Sequence, residues 1–315
     1  MRLVFMGTPA FAVPSLEKLV SSSHEIVGVV TAPDRRKGRG LKIIASPVKQ
    51  IALSLKLPII QPDELKDPTF INQLQKLSAD CFVIVGFKIL PAEVFETPPK
   101  GSFNLHASLL PKYRGAAPIQ WALIQGEHET GVTTFFLKRK VDTGDILLQD
   151  KLTINEQDNS GDLHDRLASL GADLVLKTVD LIATGKIIPK PQMGKSCPAP
   201  KITPETCMIN WNKDANQIQN QVRGLAPRPG AFSFWQERRL KIYQSSVISG
   251  EMIQMQQPGT VVKADQNDLW IETGNNLLAI EICQIEGKSR MTADAFLRGY
   301  PIQAGDRFQE LVKQG

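Results

Sequence analysis

The sequence predicts an α/β domain built on a parallel-rich sheet, followed by a smaller all-β domain, and three features carry that prediction. Up to about Ala183, short β-rich apolar runs alternate with helical stretches. A proline-rich segment then interrupts the pattern, and beyond it short alternating runs separated by turns fill the rest of the chain. The domains are expected at 1–187 and 204–315, joined by a semi-rigid linker over 188–203.

Leu3-Val4-Phe5-Met6 opens the chain as a buried strand, and Phe11 to Val20 follows as a helix with Phe11, Val13, Leu16 and Leu19 on one face. Ile26–Val30, Phe82–Val85 and Val132–Leu137 read as further strands. A long helix is expected from Ser160 to Lys186, striped by Leu163, Leu167, Leu170 and Leu174 and ended by Gly185. After Thr203 a helix near Ala215–Val222 precedes strand candidates at 232–235, 240–243, 259–262, 269–271 and 277–282, the spacing of a small barrel or sandwich. Trp235 and Tyr243 are expected in its core.

A chain of 315 residues with 42% hydrophobic and 22% charged residues is an ordinary globular protein, which excludes disordered and fibrous classes. No apolar stretch approaches the length of a membrane span, and the N-terminal run lacks a secretory apolar region, so a cytoplasmic protein is expected. Cys81, Cys197, Cys207 and Cys283 are scattered without metal or redox spacing and read as small buried hydrophobes. The net charge of +5 permits an anionic partner without requiring one.

The densest chemical signal runs from Phe103 to Pro118. On a strand over 101–106, Asn104 and His106 point to one side, presenting an amide and a titratable imidazole at a strand end, where open α/β sheets bind ligands. Ser108, Leu109, Leu110 and Pro111 then form an apolar turn suited to the wall of a pocket for a flat heterocycle. Asp142, in the turn Val141-Asp142-Thr143-Gly144, is placed to reach the imidazole, where a carboxylate favours the charged ring and fixes its tautomer. Taken singly, these pieces remain open: an isolated Asn-x-His is more often structural, and Asp-Thr-Gly is usually a turn. Gly7-Thr8-Pro9-Ala10-Phe11 turns strand into helix but lacks the glycines of a dinucleotide fingerprint, which counts against a nicotinamide-dependent oxidoreductase. His24, His128 and His164 lie in polar stretches and read as solvated surface.

Taken together, N-L-H-A-S-L-L-P-K-Y-R-G-A-A-P-I-Q-W-A at 104–122, E-T-G-V-T at 129–133 and D-T-G-D-I-L at 142–147 strongly resemble the folate-dependent formyltransferases. The resemblance runs nearly end to end, through G-T-P-A-F at 7–11, S-P-V-K at 46–49 and R-G-L-A-P-R-P-G-A-F at 223–232. It implies a Rossmann-like sheet domain, an OB-like C-terminal β-barrel, and transfer of the formyl group of 10-formyltetrahydrofolate, the co-substrate, to an amine without a metal. The family's catalytic trio falls on Asn104, His106 and Asp142, and its folate-contacting segment on Ser108, Leu109, Leu110 and Pro111.

The implied acceptor is the α-amino group of initiator methionyl-tRNA, with a small amine such as an amino sugar nucleotide as the alternative. A basic loop points to RNA: Arg35, Arg36, Lys37, Arg39 and Lys42 match the family's insertion that meets tRNA, although a charge run is more often a solvated loop. Arg223, Arg228, Arg238, Arg239 and Lys241 of the second domain are positioned in sequence to follow phosphates. No obligatory protein partner is implied. A non-enzymatic RNA-binding module is the more distant alternative, which the joint presence of Asn104, His106 and Asp142 opposes. Lys88 and the segment 196–202 depart from the family pattern. In the mechanism the resemblance implies, Asn104 and protonated His106 donate to the oxyanion that develops as the amine attacks, and His106 moves the proton.

Overall fold

The computed structural model describes residues 1–37, 42–249 and 257–309. They form two compact units. The first comprises Met1–Pro118, Glu129–Thr153 and His164–Ala199, and the second Ile119–His128, Ile154–Leu163 and the chain from Pro200 onward.

In the first unit the strands are β1 (Arg2–Gly7), β2 (Glu25–Val30), β3 (Arg35–Lys37), β4 (Lys42–Ile44), β5 (Ile59–Ile60), β6 (Cys81–Val85), β7 (Ser102–His106), β8 (Arg114–Gly115), β9 (Glu129–Phe136), β10 (Ile146–Thr153) and β11 (Pro198–Ala199). Seven of them make one sheet in the order β10-β9-β7-β6-β1-β2-β5. β7, β6, β1, β2 and β5 run parallel, while β9 and β10 add an antiparallel edge. β1, β2 and β6 are buried almost throughout, as strands covered on both faces must be, and that is why they appear in the sequence as unbroken apolar runs. The chain leaves β1 for β2 and β5 on one side, then returns to β6 on the other. The ends of β1 and β6 at Gly7 and Val85 therefore flank a reversal of strand order.

Helix ends follow local chemistry. Ser46 caps the helix Pro47–Ser54 by accepting the Lys49 N–H, and Asp67 does the same for Pro68–Lys76 through Thr69. The helix expected from Phe11 begins at Val13, because Ala10–Ala12 wind as a 3₁₀ turn ahead of it. The long helix spans Ser160–Ala183, and Gly185 beyond it takes φ +66°.

The second unit carries β12 (Ala231–Trp235), β13 (Arg238–Ile248), β14 (Val261–Ala264), β15 (Leu269–Glu272), β16 (Leu277–Ile285) and β17 (Met291–Thr292). The antiparallel order is β12-β13-β16-β15-β14, with β17 on β16. Its two edges meet a common segment: Gln309 bridges Phe234 in β12, and Arg307 bridges Thr260 just before β14. Through these bridges the sheet closes on itself. Trp211, Ile218, Val222, Trp235, Phe296 and Phe308 fill the interior. Tyr243 lies only half-buried, with the Arg290 guanidinium 3.6 Å from its ring centroid.

Two local expectations are corrected. His24 is not solvated surface: its side chain is 5% exposed, with Nε2 2.8 Å from the Asp180 carboxylate and Nδ1 3.2 Å from the N-terminal amine. Polar neighbours in sequence said nothing of the helix that covers it. The stretch expected as a semi-rigid linker over 188–203 belongs to the first unit up to Ala199. Lys190 pairs with Ile146, and β11 lies parallel to β8 with the Cys197 and Ala199 carbonyls accepting from Arg114 and Ala117. Proline removes donors but not acceptors, so such a segment can still line an edge through its carbonyls.

Candidate functional site

Asn104 and His106 stand on one face at the C-terminal end of β7. Leu105 between them points the other way, toward Gly171 of the long helix, where a Cβ would come within 2.6 Å of its side chain. The two polar residues therefore occupy the face turned away from that helix. Asn104 is half-buried, and its side-chain amide has no protein hydrogen bond among the described residues.

His106 is 8% exposed, with Nε2 2.8 Å from the Tyr113 carbonyl. A carbonyl only accepts, so Nε2 carries a proton and Nδ1 is the ring atom left for other chemistry. The expected contact with Asp142 is corrected here. The Asp142 carboxylate accepts the Gly115 N–H at 2.9 Å, and the imidazole takes its partner from Tyr113. The carboxylate and the ring are thus tied to one short segment rather than to each other.

Both ends of that arrangement are conformationally costly. Tyr113 sits at φ +59° and Asp142 at φ +54°, left-handed conformations costing about 1–2 kcal/mol for non-glycine residues. Gly115 at φ +129° has no room for a side chain: a Cβ would lie 2.5 Å from the Ala199 carbonyl oxygen.

The Ser108–Pro111 turn is built differently from the expected pocket wall. Ser108 is fully buried and its hydroxyl donates to the Lys112 carbonyl at 2.6 Å, while Leu110 is 3% exposed. Neither side chain is presented to a ligand; Leu109 and Pro111 are the half-exposed members. The turn, with a cis Leu110–Pro111 bond, is clamped by two neighbours that the sequence reading missed. The Thr133 hydroxyl donates to the Ser108 carbonyl at 2.6 Å and accepts from the Leu110 N–H at 3.1 Å. Gln149 donates to the Leu110 carbonyl and to Thr133, both at 2.9 Å.

Gln192 and Cys197, from the proline-rich stretch, were also missed. Gln192 touches Arg114 and the Asp142 turn, and the Cys197 sulfur accepts the Tyr113 N–H at 3.3 Å. No local pattern marks them, because their partners are backbone groups or lie 78 or more residues away. Cys197 is half-buried, unlike Cys81, Cys207 and Cys283; burial pushes the Cys81 and Cys283 thiols up to about 12.

A cleft of about 430 Å³ opens at the reversal point, lined by Thr8, Pro9, Pro33, Ser46, Gly86 and Phe87, with the exposed Lys88 at its edge. Gly86 permits the close approach of Pro9, since a Cβ there would meet its Cγ at 2.6 Å. Beside this cleft, the β3–β4 hairpin carries the basic residues Arg35, Arg36, Lys37 and Lys42 on an antiparallel ladder. Arg39 lies outside the described residues. The hairpin's root is fixed by a polar cluster: Lys49 Nζ lies 2.6 Å from Asp34 and 2.7 Å from Gln61, and Gln61 donates to the Ala32 carbonyl and to Asp34. The hydrogen bond from Lys49, with help from Gln61, holds the Asp34 carboxyl below the usual carboxylate range.

Of the C-terminal cations, Arg228 is exposed, Lys241 donates to the Pro229 carbonyl at 2.7 Å, and Arg239 lies 3.8 Å from Glu286. Arg223 is drawn inward to Asn220 and Asn155, and burial pushes its guanidinium down from the ordinary value. Among the described residues no group of His, Cys, Asp and Glu is arranged to hold a metal, and no helix is long and apolar enough to cross a membrane.

Comparison with known proteins gives a match to the formyl transferase family over residues 1–179 and to the formyl transferase C-terminal domain over 201–301. The methionyl-tRNA formyltransferase of Thermodesulfovibrio yellowstonii is 46% identical over 304 residues, covering 96% of this chain and 97% of its own. Among solved structures, the sugar 3N-formyl transferase WlaRD, crystallised with dTDP and 5-N-formyl-THF, aligns with TM-score 0.66 at 20% identity, over 92% of this chain and 99% of that one. HypX of Aquifex aeolicus bound to tetrahydrofolic acid aligns with TM-score 0.65 at 17% identity, over 99% of this chain and 51% of that one. At these identities the two structures share the fold.

Proposed function

The chain belongs to the formyl transferase family, and from that premise we propose that it moves the formyl group of 10-formyltetrahydrofolate onto the α-amino group of initiator methionyl-tRNA, in the cytoplasm. The observation that carries the reading is the pair at the end of β7: an amide without a hydrogen-bond partner among the described residues and an imidazole whose Nε2 is already committed, side by side on one face.

The bound folate supplies the formyl carbon. Asn104 offers amide N–H groups to the negative charge that develops on the formyl oxygen, a contact typically worth about 2.7–4 kcal/mol of barrier height. With its Nε2–H held by Tyr113, His106 uses Nδ1 to accept the proton that leaves the attacking amine and return it to the folate nitrogen as the bond from that nitrogen to the formyl carbon breaks. Asp142 orders the 113–115 segment through Gly115 and adds negative charge to its surroundings. Leu109 and Pro111 supply apolar contact to the folate, and the buried Ser108 and Leu110 hold the turn that presents them. The basic segment with Arg35, Arg36, Lys37, Arg39 and Lys42 meets RNA phosphates, a role supported by its composition and by the place of β3 and β4 beside the cleft at the strand reversal.

The test follows labelled formyl from 10-formyltetrahydrofolate to methionyl initiator tRNA and, separately, to an amino sugar nucleotide. Transfer to the tRNA, reduced at least about a hundredfold in His106→Ala with tRNA affinity retained, is the expected result. Transfer only to the sugar moves the acceptor assignment, and near-normal turnover in the variant removes His106 from the mechanism.

A further inference from the structure

We propose that Gln192 is a positioning residue of the transfer site, the side chain that fixes the Asp142 turn against Arg114; the inference rests on the reading of Asp142 given above. One carboxamide makes four hydrogen bonds. Its nitrogen donates to the Asp142 and Gly144 carbonyls, both at 2.9 Å, and its oxygen accepts from Arg114 Nε at 3.1 Å and Nη2 at 2.5 Å. Carbonyls cannot donate and a guanidinium cannot accept, so only one orientation of the amide satisfies all four.

The consequence is a closed set of ties around three consecutive residues. The Tyr113 carbonyl accepts from His106, the Arg114 side chain binds Gln192, and the Gly115 N–H donates to Asp142. Gln192 closes the set by gripping the backbone of Asp142 itself, 50 residues away in sequence. Asp142 is held at φ +54°, where a turn without support relaxes toward ordinary backbone conformations. Among the described residues no ion pair to a carboxylate holds Arg114; a neutral amide oxygen does.

Gln192→Met removes all four hydrogen bonds at similar length. Gln192→Glu keeps the acceptor for Arg114 but replaces both donors with a carboxylate facing two carbonyls. Full-length variants are assayed for formyl transfer to methionyl initiator tRNA, with kcat and KM for both substrates and a thermal melt, beside His106→Ala and Asp142→Ala. Both Gln192 variants are expected to lose roughly ten- to a hundredfold in kcat, as small misplacements of reacting groups do, with KM values near wild type. The Gln192→Glu deficit, expressed relative to wild type, should shrink as pH falls and the introduced carboxyl regains an O–H donor; the Gln192→Met deficit should not. A loss that vanishes once activity is scaled to folded enzyme overturns the inference. So does wild-type kcat in the Gln192 variants while His106→Ala and Asp142→Ala are inactive. Wild-type turnover in all four variants overturns the underlying reading of the site instead.

Discussion

Thr133→Val isolates the clamp on the Ser108–Pro111 turn. Thr133 is fully buried in β9, and valine nearly matches its volume, so the substitution leaves little cavity and acts mainly by deleting a hydroxyl. That hydroxyl serves three partners: the Ser108 carbonyl, the Leu110 N–H and the Gln149 amide. Gln149 retains its second bond, to the Leu110 carbonyl, and loses least. The two backbone groups are stranded among buried residues, at about 1–3 kcal/mol each, which makes the expected cost about 2–6 kcal/mol. All four tryptophans (121, 211, 235 and 270) lie in the second unit, so their fluorescence does not follow this region. Amide hydrogen exchange does. Protection of the Leu110 amide should fall by roughly 30- to 20,000-fold on that cost, with formyl transfer impaired in parallel. Thr133→Ser keeps the hydroxyl and should lose only about the 0.8 kcal/mol of one methyl group. Unchanged Leu110 exchange in Thr133→Val, or equal damage in Thr133→Ser, refutes the clamp.

Gly115→Ala should abolish most activity in a folded protein, because φ +129° and an Ala199 carbonyl 2.5 Å from the new Cβ force the 113–115 segment off Asp142; steady-state kinetics with a melting curve checks it. Asp34→Asn tests the hairpin root. Since the folded carboxyl titrates below its ordinary 3.8, its contribution to stability is fully present above that value and lost as pH falls through the lowered one. Wild type should therefore melt above Asp34→Asn at neutral pH, and the gap should close in strong acid; a gap independent of pH refutes the pairing. Arg39→Ala should weaken tRNA use and flatten its dependence on salt concentration, as loss of a phosphate contact does; identical salt slopes would assign the hairpin to ordinary solvated surface.

Much of the fold is legible in local pattern. The strands β1, β2 and β6 announce themselves because burial on both faces leaves no polar position in the run. Asn104 and His106 could be placed on one side of a strand because the period of two is a property of extended backbone alone. The Asp142 turn was also readable, yet its partner was not. A carboxylate in a turn can take any nearby donor, and here the Gly115 amide outcompeted the ring. Ser108 and Leu110 show the same limit, since motif membership does not say which side chains of a tight turn face inward. His24 was misread because burial is imposed by whatever packs over a residue, not by its sequence neighbours.

By itself, the sequence determined the class of the fold, its passage from parallel-rich sheet to small barrel, the placing of an amide and an imidazole together at a strand end, and the family to which such a motif belongs. Those properties depend on side-chain periodicity and on residue types within a few positions. Tertiary structure alone decided the tautomer of His106, the tether of Asp142, and the recruitment of Thr133, Gln149 and Gln192. Each of these depends on backbone carbonyls and amides, which every residue carries alike, so only their arrangement in space selects which of them make the site.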